Sequence, residues 1–289
     1  MIFLGTGAAE LIPNPYCSCP VCTEALLSKD RKMKRNRSSF LLDEHNLIDC
    51  GPDILSSCGE FGVSLANLRN VFVTHTHEDH FSVVSLTNML MNITEIPELS
   101  VFVSPEAYAG LQLLRELIIR YQDEFRIKES IERLERKCRF IPFQPFENVR
   151  IGDMTVSAVI GNHTGNTKNE KSLNYIFEKN GKTLFYAADT WLFFEEAYKW
   201  LKTKRIDTLV IECTFGDKEI DESNHHVNGV FLQRVLDRLI AQSTLKDSAD
   251  IYLTHFSHKG YSASLENRLQ QKYGRRLSFA YDGLTLPDL

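Results

Sequence analysis

The chain has 289 residues, a formal net charge of -5 and 43% apolar residues. That length can bury a sizeable core, and the mild acidity argues against a surface dominated by nucleic-acid contacts. No apolar run approaches the ~20 residues of a membrane helix, and Met1-Ile2-Phe3-Leu4 lacks the basic start of a secretion signal, so a cytoplasmic protein is expected.

In chain order, strands are expected over 1–4, 39–42, 47–49, 70–74, 100–103, 154–160, 172–178, 183–187, 208–212, 250–253 and 278–281. Helices are expected over 53–61, 83–91, 105–137 (broken), 193–201, 227–241 and 262–273. There is no internal repeat and no Pro/Gly/Ser linker, so residues 1–289 read as a single domain with a helical insertion at about 105–137. For that segment a solvated lid beside the active site and a dimer contact both stand open. Gly5-Thr6-Gly7, after the first strand, reads as a tight loop where the backbone passes close to a metal site, in preference to a phosphate cradle. The basic run from Lys29 to Arg37 reads as a solvated face, or as an anion-attracting patch with Arg37 or Ser38 nearest the site.

The chemistry concentrates in His75-Thr76-His77-Glu78-Asp79-His80, after the apolar run Asn70-Val71-Phe72-Val73. On extended backbone His75 and His77 point the same way, so both imidazoles can reach one cation. Asp79 and His80 follow where the chain turns toward a helix and can address a second. Downstream, His163, Asp189 and His255 each end or follow a strand-like run. Strand ends converge on one sheet edge, which would bring these side chains to the first group.

Seven cysteines are many for a chain without a secretion signal. Cys17, Cys19 and Cys22 lie within six residues and suit a closed zinc site. His258, three residues after His255, is the strongest fourth ligand. The remaining cysteines read as small buried hydrophobes.

The HxHxDH stretch resembles the signature of the metallo-β-lactamase superfamily. Together with CxCxxC and Thr254-His255-Phe256-Ser257-His258, the chain resembles the PhnP family of phosphodiesterases from Gly5 to about Gly283. The resemblance implies a four-layer αββα sandwich. It implies two catalytic divalent metals (Zn, Mn or Fe): one on His75, His77 and His163, the other on Asp79, His80 and His255, with Asp189 bridging. It implies one structural zinc on Cys17, Cys19, Cys22 and His258. Asp49 is expected either to orient a metal-bound histidine from behind or only to form the turn before Cys50-Gly51. A water between two such metals becomes hydroxide near neutral pH and attacks phosphorus or a carbonyl carbon. Asp79 thus sits at the chemistry, and His226 is the expected proton donor to the leaving group, with His225 as alternate.

The function these residues favour is a dinuclear metal-dependent hydrolase of a small, cyclic phosphodiester. An aspartate at the bridging position disfavours the β-lactam branch. The rival readings are a tRNA 3′-processing-type endonuclease, a thioester or lactone hydrolase, and a PqqB-like non-catalytic ligand-binding protein. The expected partner is the small phosphodiester; no membrane is expected, nucleic acid is disfavoured, and monomer and homodimer stand open.

Overall fold

The computed structural model describes residues 1–91, 95–121, 128–221, 226–274 and 276–289. Two sheets carry the chain, each with its strands side by side in sequence order. The first holds β1 (Ile2–Gly5), β2 (Ser39–Asp43), β3 (Asn46–Ile48), β4 (Asn70–Phe72), β5 (Leu99–Val103) and β6 (Cys138–Pro142). The second holds β7 (Asn148–Ile151), β8 (Met154–Thr164), β9 (Lys171–Lys179), β10 (Lys182–Ala187), β11 (Ile206–Glu212), β12 (Leu245–Thr254) and β13 (Leu277–Phe279). Pairing is antiparallel from β1 to β3 and from β7 to β10, and parallel from β3 to β6 and from β10 to β13. Parallel strands end on one edge, which gathers their C-terminal loops.

Alternation along the strands sorts side chains into layers. In β10, Leu184 and Tyr186 face the other sheet, whereas Phe185 and Ala187 face helices. Phe72 of β4 meets Phe102, Tyr175 and Phe177 at ring-centroid distances of 5.0, 5.5 and 5.1 Å between the sheets. Its neighbours Val71 and Val73 pack outward against α2 (Ile54–Phe61), α3 (Val83–Met89) and α4 (Pro105–Arg120). On the far side, α6 (Glu195–Leu201), α7 (Gly229–Ala241) and α8 (Ala263–Tyr273) cover the second sheet. The four-layer αββα sandwich expected from the resemblance is the observed fold.

Element ends follow local chemistry. Asn228 caps α7 by accepting from the N–H groups of Val230 and Phe231. Asp53 precedes α2 without a side-chain cap bond, because its carboxylate accepts from the Arg37 guanidinium at 3.1 Å. The segment read as a broken helix is two helices, α4 and α5 (Lys128–Lys137), in the crossover between the parallel neighbours β5 and β6. A short helix not expected from the sequence, α1 (Pro20–Leu27), starts in the cysteine cluster with Pro20 at its first turn and Cys19 Sγ accepting from Cys22 N. Strands β6 and β7 were likewise not expected. Gly5 must be glycine, since the Arg37 carbonyl fills the space a Cβ would take. No helix among the described residues is long and apolar enough to cross a membrane.

Candidate metal centre

The His75-Thr76-His77 stretch leaves β4 extended, and two buried groups hold it there. Tyr175 Oη donates to the Val73 carbonyl at 2.9 Å. Glu170 accepts from Thr76 N at 2.7 Å and Thr76 Oγ1 at 2.6 Å, pinning the middle residue so that both flanking histidines face inward. His75 Nε2 then lies 2.9 Å from His77 Nδ1, which lies 3.2 Å from His163 Nε2. The chain next makes a helical turn, with His80 N and Phe81 N donating to His77 O, and this directs Asp79 and His80 back. Gly51 allows the turn, since a Cβ there would meet the Asp79 carbonyl at 2.3 Å.

Asp49, Asp189 and His255 each follow a strand with left-handed φ of 61°, 50° and 58°. This conformation is costly for residues other than glycine, although Asp and His tolerate it better than most. Here it turns each side chain off the strand end and into the site. Asp189 stands at the centre: Oδ2 lies 3.4 Å from His75 Nε2, 3.3 Å from His80 Nε2 and 3.7 Å from His163 Nε2. Its Oδ1 lies 3.0 Å from His255 Nε2, without hydrogen-bond alignment, and has no hydrogen-bond partner among the described residues. Asp79 Oδ2 lies 3.4 Å from His80 Nε2 and 3.6 Å from His255 Nε2.

Hydroxyls fix which imidazole nitrogen is bare. Thr74 Oγ1 donates to Asp49, so it accepts from His75 Nδ1 at 3.1 Å. His80 Nδ1 donates to Asp49 Oδ2 at 2.7 Å. Thr214 Oγ1 donates to Glu212 Oε2 at 2.6 Å and accepts from His255 Nδ1 at 2.9 Å. The Nε2 lone pairs of His75, His80 and His255 are therefore left facing one another and Asp189. His80 Nε2 and His255 Nε2 are 3.1 Å apart, a repulsive contact for two lone pairs unless a cation lies between. Metal–nitrogen bonds of about 2.0–2.1 Å in tetrahedral geometry put ligand atoms roughly 3.4 Å apart, the spacing seen here. The donor set fits divalent metals, in the groupings His75/His77/His163/Asp189 and Asp79/His80/His255.

The electrostatics agree. Burial drives the His75 imidazole well down, and neighbouring His80 reinforces this. Burial also opposes charge on His255, yet Asp189 and Asp79 lift it to about 10. The carboxylates thus favour positive charge at the centre, which a metal supplies.

His226 lines the same cavity of about 170 Å³, together with Ala8, His77, Asp79, Asp189 and Lys259. Its ring lies 4.6 Å from that of His163 and 5.7 Å from that of His255, centroid to centroid. His226 Nδ1 donates to Glu212 Oε2 at 3.1 Å. Burial opposes charge on His226, but the Glu212 carboxylate wins and raises its pKa. The alternate, His225, lies outside the described residues.

Glu212, the last residue of β11, was not singled out in the sequence. It is fully buried and accepts from Thr190 N, Trp191 N, Thr214 Oγ1, His226 Nδ1 and Val227 N. The signal was present: an acid ends the apolar run Leu209-Val210-Ile211 of a parallel strand, on the edge that carries Asp189 and His255. The basic run does not reach the cavity. Arg37 bonds Asp53 and the Ala9 carbonyl, Ser38 bonds the Gly7 carbonyl, and neither is among the lining residues.

Cys17, Cys19, Cys22 and His258 converge separately, with His258 Nδ1 at 3.5 Å from Cys17 Sγ and 3.4 Å from Cys19 Sγ. A tetrahedral Cys₃His zinc site has ligand edges of about 3.6 Å, so this group also fits a metal. The His258 contact draws the Cys19 thiol down to about 6, whereas burial pushes Cys22 up to about 11. A larger cavity, about 520 Å³ between α4, α5 and β6, has mainly apolar walls such as Leu111, Ile118 and Phe140 and holds none of these clustered ligands.

A family model described as Anti-Pycsar protein Apyc1 matches residues 31–264. The match begins beyond the cysteine cluster. No curated protein matches significantly. Among solved structures, the chain is similar to a diphosphatase from the PhnP family, with 18% identity, TM-score 0.70, 98% of this chain and 94% of that one covered. It is similar to Zn(2+)-bound PqqB from Methylobacterium extorquens, with 15% identity, TM-score 0.68 and 99% of each chain covered. It is also similar to the short form of human tRNase Z, with 18% identity, TM-score 0.61, 98% of this chain and 96% of that one covered. At these identities the likeness establishes the metallo-β-lactamase fold.

Proposed function

The chain belongs to the Anti-Pycsar protein Apyc1 family, and from that membership and the geometry of the centre we propose that it is a dinuclear metal-dependent phosphodiesterase acting on a small cyclic phosphodiester. The observation that carries the reading is Asp189. Its carboxylate stands between two nitrogen clusters, with a buried oxygen that no aligned hydrogen bond from the described residues satisfies, beside a cavity of about 170 Å³ suited to one small diester. In this proposal His75, His77 and His163 would hold one metal and Asp79, His80 and His255 the other, with Asp189 available to both. Cys17, Cys19, Cys22 and His258 hold a structural zinc.

When bound, such metals make water nucleophilic near neutral pH and neutralise charge that develops at phosphorus. The protein's own residues do the rest. Asp49, through Thr74 and His80, and Glu212, through Thr214 and His255, keep the ligating nitrogens bare. Glu212 also holds the Nδ1–H of His226, so that the ring presents its other nitrogen edge to the cavity and can hand a proton to the leaving oxygen. The anti-Pycsar role for which the family is named would then be exercised by destroying a small phosphodiester. Support comes from the family match and from a diphosphatase and a tRNase Z among proteins of like fold.

The test compares bis(p-nitrophenyl) phosphate, cyclic mononucleotides, a thioester and a lactone on metal-quantified protein. Turnover of the diesters but not the acyl substrates supports the proposal. Preference for the thioester or lactone, or binding without turnover, defeats it.

A further inference from the structure

Lys259 is the charged group at the cavity that no function yet explains. It follows Ser257 and His258 in the loop beyond the candidate ligand His255. It is the only lysine or arginine among the described residues lining the cavity, whose other charged walls include Asp79, Asp189 and Glu10. An anionic substrate entering here meets mostly carboxylates, and beyond the metals it needs a cation that can reach it.

Lys259 is placed by a small network. Its Nζ lies 3.1 Å from Glu10 Oε1. Ser257 Oγ donates to the same Glu10 oxygen at 2.7 Å and accepts from Lys259 N at 3.1 Å. The Lys259 side chain is 53% exposed, so the ion pair is weak and its ammonium can exchange Glu10 for another anion at little cost. The cysteine site holds both halves of this rim. His258, next to Lys259, faces Cys17 and Cys19, while Asn14 donates from its N–H to Cys22 Sγ at 3.3 Å and from its side chain to the Glu10 carbonyl at 3.0 Å. One cluster of thiols thus fixes the loop that carries Glu10 and the loop that carries Lys259.

We propose that Lys259 is a substrate-binding residue whose ammonium leaves Glu10 to receive the non-bridging phosphoryl oxygens of the diester, and that the Cys₃His site holds this receptor at the cavity rim. The inference rests on the phosphodiesterase reading above. Glu10 parks the ammonium between turnovers. The cysteine site, although it touches no substrate, then bears on substrate affinity.

The experiment uses the full chain loaded with metal, as wild type, Lys259→Ala and Lys259→Arg, with total metal and zinc measured in each. Inorganic phosphate is titrated calorimetrically, and steady-state kinetics are run on bis(p-nitrophenyl) phosphate. Lys259→Ala is expected to weaken phosphate binding and raise KM each by about tenfold, the loss of one charge-assisted hydrogen bond, with kcat changed less than about threefold. Lys259→Arg should recover most of both. Glu10→Gln removes the competing carboxylate and should tighten phosphate about twofold. Unchanged phosphate affinity in Lys259→Ala, no phosphate binding by the wild type, or a fall in kcat at constant KM overturns the proposal. If the wild type binds phosphate through Lys259 yet turns over no phosphodiester, the phosphodiesterase reading fails while the anion receptor stands.

Discussion

Glu212→Gln is the most revealing single change at the centre, because it is nearly isosteric and removes only charge and one acceptor. The carboxylate accepts two backbone N–H groups on Oε1, and Val227 N, Thr214 Oγ1 and His226 Nδ1 on Oε2. The amide nitrogen of Gln fits better on the Oε2 side, since a hydroxyl and an imidazole can reverse their roles there and two backbone amides cannot. Val227 N–H is then stranded, at about 1–3 kcal/mol, and the charge-assisted bond to His226 is lost. A total destabilisation of about 2–4 kcal/mol follows. The second consequence is chemical. Thr214, no longer donating to a carboxylate, is free to donate to His255 Nδ1, which moves the imidazole proton to Nε2 and covers the lone pair meant for metal. Metal affinity should fall by about 10–100-fold, the usual cost of losing an outer hydrogen-bond partner. Urea unfolding of metal-free protein reads the first effect, metal titration the second, and nitrogen NMR of the histidines the change of tautomer. A variant that unfolds like the wild type and binds metal equally well refutes the reasoning.

Asp189→Ala should abolish hydrolysis and reduce metal content, as measured by turnover and metal analysis, because both nitrogen clusters lose the shared carboxylate. His226→Ala should slow diesters with poor leaving groups more than nitrophenyl esters; an equal loss on both contradicts proton donation. Cys19→Ser should lower zinc content and stability and raise KM while leaving kcat in the folded fraction largely intact, a split that steady-state kinetics on zinc-quantified protein would show. Asp282 carries a pH prediction. Buried, and accepting from Thr6 Oγ1 at 2.7 Å and Asn36 N at 2.6 Å, it is pushed by burial from 3.8 up to about 6. The fold therefore binds this proton more tightly than the unfolded chain does. The stability it contributes is full below about pH 4 and is lost as pH rises through about 6, worth about 3 kcal/mol. Asp282→Asn should flatten urea stability across that window; an unaltered slope between pH 4 and 7 counts against it.

The ligand set was legible because its chemistry is local: His75 to His80 needs only an extended segment and a turn, and His163, Asp189 and His255 each close a run of apolar strand residues. Asp49 was half legible, a turn-forming aspartate until its carboxylate is seen bonding His80 and Thr74. Glu212 and Glu170 escaped because their roles exist only across strands. Each is an ordinary acid until the fold brings backbone amides and hydroxyls from distant loops onto it. The short strands β6 and β7 escaped because they are brief and half-exposed: Asn148-Val149-Arg150-Ile151 alternates, but over only four residues. Helix α1 was hidden by its own cysteines, which read as a metal loop although Cys19 also serves as the helix cap. Nothing in the sequence marks Lys259, and only the cavity distinguishes it.

The most direct test of the central claim is turnover of bis(p-nitrophenyl) phosphate by wild type and Asp189→Ala, with bound metals counted and Mn, Zn and Fe supplied in turn. The account predicts about three metals per wild-type chain, diester hydrolysis that depends on them, and loss of both activity and catalytic metal in the variant. Full metal loading with no diester hydrolysis, or an Asp189→Ala protein that hydrolyses as well as the wild type, would contradict it.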